Sequence, residues 1–239
     1  MNQLPDLPDI QIVEANSLRP HEHIDVGRSE RLIQSLQTEG FLKNPPVVLR
    51  LQGEIEQYVV LDGANRTTAI QRMGFPHMLV QVANEGVDVR NWNHILIGGD
   101  LRELQEGMMQ IPCVEVVETD EFRAAAALAR GELAAYMVLP DGRTLMLETE
   151  GNSIFEKIEC LTHFVNLYES SFVRERTVVS SLNGLVSLYP EMRGLIVFPE
   201  FGVNDIVEIA KKGQLFPSGL TRFLVFPRAL RINYPLEID

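Results

Sequence analysis

The stretch Leu61-Asp62-Gly63-Ala64-Asn65-Arg66-Thr67-Thr68-Ala69 constrains the fold more than any other part of the chain. The apolar run Tyr58 to Leu61 reads as a strand and ends in an acid and a glycine. A helical pattern (Ala69, Ile70, Met73) starts at once and is closed by Gly74. A strand-turn-helix junction of this kind aims several backbone N–H groups and the positive end of a helix dipole at one spot. Such a spot suits an anion, and Asn65, Arg66 and Thr67 add donors that match phosphate. Asp62 can hold a cation or a proton beside that anion, cap the helix, or do both. Arg66 either meets the anion or pairs with a surface acid.

The surrounding pattern is mixed. Ile10 to Val13 reads as a strand and Ser17 to His23 as a turn. Ser29 to Glu39 reads as a helix with Ser29 as N-cap and Gly40 just past its end. Asn44-Pro45-Pro46 breaks the chain before a strand at Val47 to Leu51, and a turn at Gln52 to Glu56 leads into the next strand. Further strands are expected at Met78 to Val82, Val114 to Val117, Ala134 to Leu139, Thr144 to Leu147 and Leu195 to Phe198. Helices are expected at Leu101 to Met108, Glu121 to Arg130, Ile154 to Tyr168, Val178 to Tyr189 and Asn204 to Lys212. The loop Phe216 to Phe223 enters a last strand pair. The predicted class is α+β, with two domains, 1–108 and 109–239.

Charge excludes several functions. The chain of 239 residues carries a net −12. Residues 1–100 hold eight basic against thirteen acidic residues, residues 101–170 five against thirteen, and residues 171–239 eight against seven. No basic stripe exists, so a nucleic-acid partner is not expected. The near-neutral last third, with Arg222, Arg228 and Arg231, is where a small anion is best received. No apolar run approaches membrane-span length, and Met1 to Asp9 lacks the layout of a signal peptide. Cys113 and Cys160 stand apart in apolar contexts and read as buried free thiols, which points to the cytoplasm. His21, His23 and His94 lack zinc-site spacing, and His21 and His23 read as solvated turn residues. There is no G-x-x-x-x-G-K-[ST] loop and no protein-kinase H-R-D and D-F-G set. The Asp62 turn also lacks the cysteine that a sulfiredoxin uses as nucleophile.

The order helix, Asn-Pro-Pro strand, hairpin strand and D-G-x-x-R helix resembles the ParB/sulfiredoxin superfamily. Three further pieces are Arg19-Pro20-His21-Glu22, Trp92 with Gly99-Asp100-Leu101, and Lys212-Gly213 followed by Thr221-Arg222. With these added, the chain resembles the free L-serine kinases over about residues 12 to 236. That resemblance implies a ParB/sulfiredoxin-like domain packed on a second small α/β domain that completes the substrate cleft. It implies an ATP- or ADP-dependent, Mg²⁺-assisted transfer of phosphate to free L-serine. Glu22 would be the catalytic base, and Asp62 a metal ligand or second catalytic acid. Gly63, Asn65, Arg66 and Thr67 would bind nucleotide phosphate. Trp92, Thr221 and Arg222 would hold the amino acid, with arginine suited to its carboxylate. Trp92 also has a plain reading as core, and Arg222 as a surface arginine at a strand start. The chain departs from the family at Ala64 and Asn65, where relatives carry one or two histidines, and at Phe223, where one relative has a histidine. The alternative function is a non-enzymatic, ParB-like nucleotide-sensing regulator; a scaffold that has lost activity is a third reading.

Overall fold

The computed structural model describes residues 7–24, 26–53, 56–83, 87–112, 114–149, 151 and 153–236. The first six residues, part of the Gln52–Glu56 turn, and Cys113 therefore lie outside the described residues. Two compact units form: residues 1–89, 202–218 and 223–239 make one, and 90–201 with 219–222 the other. This division is discontinuous and differs from the single cut expected after residue 108.

The chain runs β1 (Asp9–Glu14), a short 3-10 turn (Ala15–Ser17), β2 (Leu18–Pro20), α1 (Val26–Glu39), β3 (Phe41–Leu42), β4 (Val47–Leu51), β5 (Gln57–Asp62), α2 (Ala64–Arg72) and β6 (His77–Val82). In the first unit the strands form a mixed sheet in the order β1-β6-β4-β5-β2. Tyr58 and Val60 of β5, Val48 of β4 and Val80 of β6 share a core with Ala69 and Ile70 of α2 and Leu36 of α1. Burial of that apolar face, worth about 25 cal/mol per Å², is what holds α1 and α2 to the sheet. The expected turn at Ser17 to His23 contains β2, which lies parallel to β5 with Leu18 opposite Tyr58 and Pro20 opposite Val60. Three residues give too short a pattern to read by alternation, which is why it passed for a turn. Ser29 is not an N-cap. It lies within α1 and is fully buried. Gly40 does follow the helix in the left-handed region, at φ +70°.

Next come β7 (Asp88–Asn91), β8 (Asn93–Ile97), α3 (Leu101–Met108), β9 (Val114–Thr119), α4 (Glu121–Ala129), β10 (Leu133–Val138), β11 (Thr144–Thr149), α5 (Ile154–Glu169), β12 (Val173–Thr177), α6 (Leu185–Leu188) and β13 (Met192–Val197). The second unit is built on an antiparallel sheet, β12-β8-β13-β10-β11-β9. Every residue of β10 is buried, which requires cover on both faces of the sheet. α4 and α5 both pack against this strand, and Ala124 and Ala127 of α4 share a core with Tyr136 and Val138. Strand β8 pairs with β12 and β13, and so residues from 90 onward belong to this unit rather than to the first.

The helix expected at Val178 to Tyr189 is reduced to α6. Two adjacent β-branched valines open that stretch, two serines and an asparagine follow, and Gly184 takes φ +79°, so little in it sustains a helix. Cys160, fully buried on α5, is disulfide-bonded, which corrects the expectation of a free thiol there and removes its support for a reducing compartment. The chain closes with α7 (Val203–Lys212), β14 (Thr221–Leu224), which pairs with β7, and β15 (Tyr234–Pro235), which pairs with β3. Among the described residues no helix is long and apolar enough to cross a membrane.

Candidate active site

In the first unit the β5–α2 junction forms as the sequence suggests, and its glycine is dictated twice. Gly63 sits at φ +96°, and a Cβ placed there would fall 2.8 Å from Nη2 of Arg66 and 3.1 Å from Cβ of Pro46. Gly63 occupies the N-cap position with no side-chain cap, so Asp62 does not cap the helix. The first backbone bond of α2 runs from Thr67 N to Gly63 O at 2.9 Å, and the N–H groups ahead of it have no acceptor within the helix itself.

Asp62 is instead the meeting point of two guanidinium groups. Nη2 of Arg66 donates to its Oδ2 at 3.0 Å, and Nη2 of Arg228 donates to the same oxygen at 2.8 Å. Burial pulls the Asp62 carboxyl up, but the two arginines outweigh it and hold the group below its ordinary range. The Asp62 side chain is 53% exposed, so the pairs add little to stability. Their consequence is orientation. Arg66 has its pKa lowered by burial; Asp62 opposes this, while Arg228 and Arg28 of α1 add to it. Two arginines thus meet one carboxylate while Arg28 acts on Arg66 beside them, a local excess of positive charge in a strongly acidic chain. Arg66 Nε and Thr67 Oγ1 are also buried without a hydrogen-bond partner, and buried donors of this kind call for an acceptor.

Arg228 is held from several sides. Nη2 donates also to Pro45 O at 2.9 Å, and Nη1 donates to Ala229 O at 3.0 Å and to Oε1 of Gln81 at 3.2 Å. Gln81, almost fully buried on β6, donates to Pro227 O at 2.8 Å and accepts from Ala229 N at 2.9 Å. Sequence reasoning noticed Arg228 only as one of three nearby cations and did not find Arg28 or Gln81. Nothing in the spacing of residues 81, 62 and 228 could pair them.

Asn65 accepts at Oδ1 from the buried Ser29 hydroxyl at 3.1 Å, which assigns that end of the amide to α1 and turns its donor end the other way. The C-terminal ends of β2 and β5 carry the two carboxylates. Asp62 closes β5 and Glu22 lies two residues past the end of β2, and both carboxylates act electrostatically on the buried His21 ring. Glu22 is further fixed by a parallel bridge to Phe216, flanked by bonds from Phe216 N to His21 O and from His23 N to Phe216 O, both 2.8 Å. His21 is not solvated. It is 1% exposed, bonds Val60 O through Nδ1 at 2.6 Å and stands edge-on to Phe223. Burial lowers its pKa, and Glu22, the Val60 bond and Asp62 oppose that. A groove of about 460 Å³ opens beside Asp62 and Arg228, walled by Val47, Phe223, Leu224, Val225 and Phe226.

The second unit holds the other three expected residues as a separate cluster. The Arg222 guanidinium lies 4.8 Å from the centroid of the Trp92 ring, a cation–π distance. Trp92 N donates to Leu220 O at 2.7 Å, and Thr221 beside it is buried. Trp92 itself is half-buried, a partly open ring rather than core. Its neighbours Asn93 and His94 are buried.

No model of a known protein family matches the chain. Among curated proteins it is similar to an ATP-dependent L-serine kinase of Staphylothermus marinus, 23% identical over 244 residues that span 95% of this chain and 89% of that protein. It is also similar to the ATP-dependent L-serine kinase SbnI of Staphylococcus aureus, 22% identical over 96% of this chain and 83% of that protein. An ADP-dependent L-serine kinase of Thermococcus kodakarensis is 28% identical over 54% of this chain and 53% of its own. A solved free serine kinase in complex with AMP superposes with a TM-score of 0.80 at 19% identity, covering 99% of this chain and 95% of that one. Over nearly its whole length the chain is similar to free L-serine kinases. It carries the fold of that solved kinase along nearly its whole length.

Proposed function

We propose that the protein is a nucleotide-dependent kinase that transfers the terminal phosphoryl group of ATP or ADP to the hydroxyl of free L-serine. The observation that carries this reading is the pairing of Arg66 and Arg228 with Asp62 at the start of α2, with Arg28 acting on Arg66 and with Glu22 and Asp62 both acting on His21. Phosphoryl transfer asks for positioning and for donors to the charge on the phosphate oxygens, and little else. The arginines and the first turn of α2 supply those donors, and Asp62 aims two of the arginines. The orphaned Arg66 Nε and Thr67 Oγ1 gain acceptors when phosphate is present. Glu22 takes the proton that the serine hydroxyl loses as it attacks.

Two further parts of the molecule take the rest of the ligands. The nucleoside lies along the groove walled by Phe223 to Phe226, where the Phe226 ring is 93% exposed and offers a face to a planar base. The amino acid is recognised by the second unit's cluster, with Arg222 meeting the carboxylate and Trp92 and Thr221 beside it. Mg²⁺ fits this donor set in a limited way. Among the described residues no cluster of three or more His, Cys, Asp or Glu side chains exists, but Mg²⁺ commonly uses one or two carboxylates plus phosphate and water. Asp62 would be the residue to hold the metal, whose charge would offset that of the phosphate oxygens.

The test is a donor and acceptor panel. Purified protein is incubated with Mg²⁺, either ATP or ADP, and serine, threonine or homoserine, and products are read by mass spectrometry. Phosphoserine formed from one of the two nucleotides is expected. Phosphate on threonine or homoserine in preference to serine would overturn the substrate assignment.

A further inference from the structure

His94 is a buried polar residue that the phosphoryl chemistry does not use. It sits on β8 at 0% exposure, two residues from Trp92. Its Nε2 lies 3.1 Å from Gly219 O, and its Nδ1 lies 2.8 Å from the Tyr168 hydroxyl on α5. A carbonyl only accepts, so Nε2 carries the proton and donates to Gly219; Nδ1 then accepts from Tyr168. The ring stands edge-on to Phe198, 4.9 Å between centroids, which closes off its rotation. Burial, with Arg174 and Arg176 of β12 adding to it and the Gly219 bond opposing, lowers its pKa to about 3, so the imidazole stays neutral.

The residue it grips opens the segment Gly219 to Arg222. Gly219 sits at φ +81°, and a Cβ there would fall 2.5 Å from the Arg176 guanidinium, so this backbone is closely confined. One residue later Leu220 O accepts from Trp92 N, and two residues beyond that Arg222 lies over the Trp92 ring. The two ends of this arrangement are thus joined twice, once by the Trp92 backbone and once by the His94 side chain.

We infer that His94 is a positioning residue: through its Nε2 bond to Gly219 it sets the place of Arg222 over Trp92, and so the geometry that receives the amino acid. Its role in substrate binding rests on the kinase reading above; its role in setting Arg222 over Trp92 does not. Glutamine at position 94 can put an amide nitrogen near where Nε2 stands, whereas asparagine and leucine cannot reach Gly219 with a donor.

The experiment compares His94→Gln, His94→Asn and His94→Leu with the parent protein. Trp92 is the only tryptophan, so intrinsic emission and acrylamide quenching report on the Arg222–Trp92 arrangement without any turnover, and far-UV circular dichroism checks folding. The Asn and Leu variants should show red-shifted, more readily quenched emission, while the Gln variant stays near the parent. Should the Leu variant not fold, the Gln–Asn contrast between two polar side chains still decides. In the kinase assay the Asn variant should raise the serine KM by about tenfold, the scale expected of a displaced binding group, with the nucleotide KM unchanged. Unaltered Trp92 emission in all variants, or a Gln variant that shifts as far as the Asn variant, would overturn the inference. A parent protein that forms no phosphoserine would overturn the kinase reading alone, because the emission contrast decides the His94 role separately.

Discussion

At the scale of single residues, the site depends on a glycine without a Cβ and on an arginine far away in sequence. Gly63→Ala must hold a left-handed residue and push against Arg66 and Pro46; it should lower stability by about 1–2 kcal/mol, measured by chemical denaturation, and should weaken nucleotide binding as well. Arg228→Ala removes a donor that three other acceptors and Asp62 hold in place. It should weaken nucleotide binding by about 10- to 100-fold, the worth of a charge-assisted bond, read by calorimetry. Arg228→Lys should restore little of this, because a lysine ammonium cannot span Asp62 and Pro45 with a planar fork. The Asp62 turn was legible in the sequence because all its parts lie within nine consecutive residues. Arg228 was not, because its link to Asp62 and Gln81 is made only by the way the chain returns after residue 222.

At the scale of elements, His94 ties β8 to α5 and to the segment before β14, and its neutrality makes that tie sensitive to acid. Its folded pKa, about 3, lies below the unfolded value near 6.5. The unfolded chain therefore binds the extra proton first, and stability falls as pH drops from about 6.5 toward about 3. It is fully present above about 6.5. Thermal melts across that window should show the loss, with a slope from this group of up to about 1.4 kcal/mol per pH unit. In His94→Gln that part of the slope should vanish. Tyr168→Phe removes the donor to Nδ1 and strands a buried acceptor, which should cost about 1–3 kcal/mol. Long elements such as α5 and α7 were readable from periodicity and their stop signals. β2 was too short to show a period, and the helix expected at Val178 to Tyr189 had the right apolar spacing but the wrong backbone formers around Gly184.

At the scale of the whole molecule, the net charge of −12 repels nucleotides, and the arginine cluster around Asp62 has to overcome that field locally. Nucleotide affinity should fall as salt rises from low ionic strength, because the attraction is screened beyond about 10 Å at 0.1 M. A titration at two salt concentrations reads this directly. The mixed fold class was visible in the order of the elements, but the true partition of the chain was not. Residues 202–218 and 223–239 return to the first unit, and no composition shift announces such a return. The most direct test of the central claim is phosphorus NMR of the protein with Mg²⁺, ATP or ADP, and L-serine, run beside Glu22→Gln. A phosphoserine resonance should grow with the parent protein and be absent with the variant. Nucleotide bound with no phosphoserine from either donor, or equal turnover by Glu22→Gln, would contradict it.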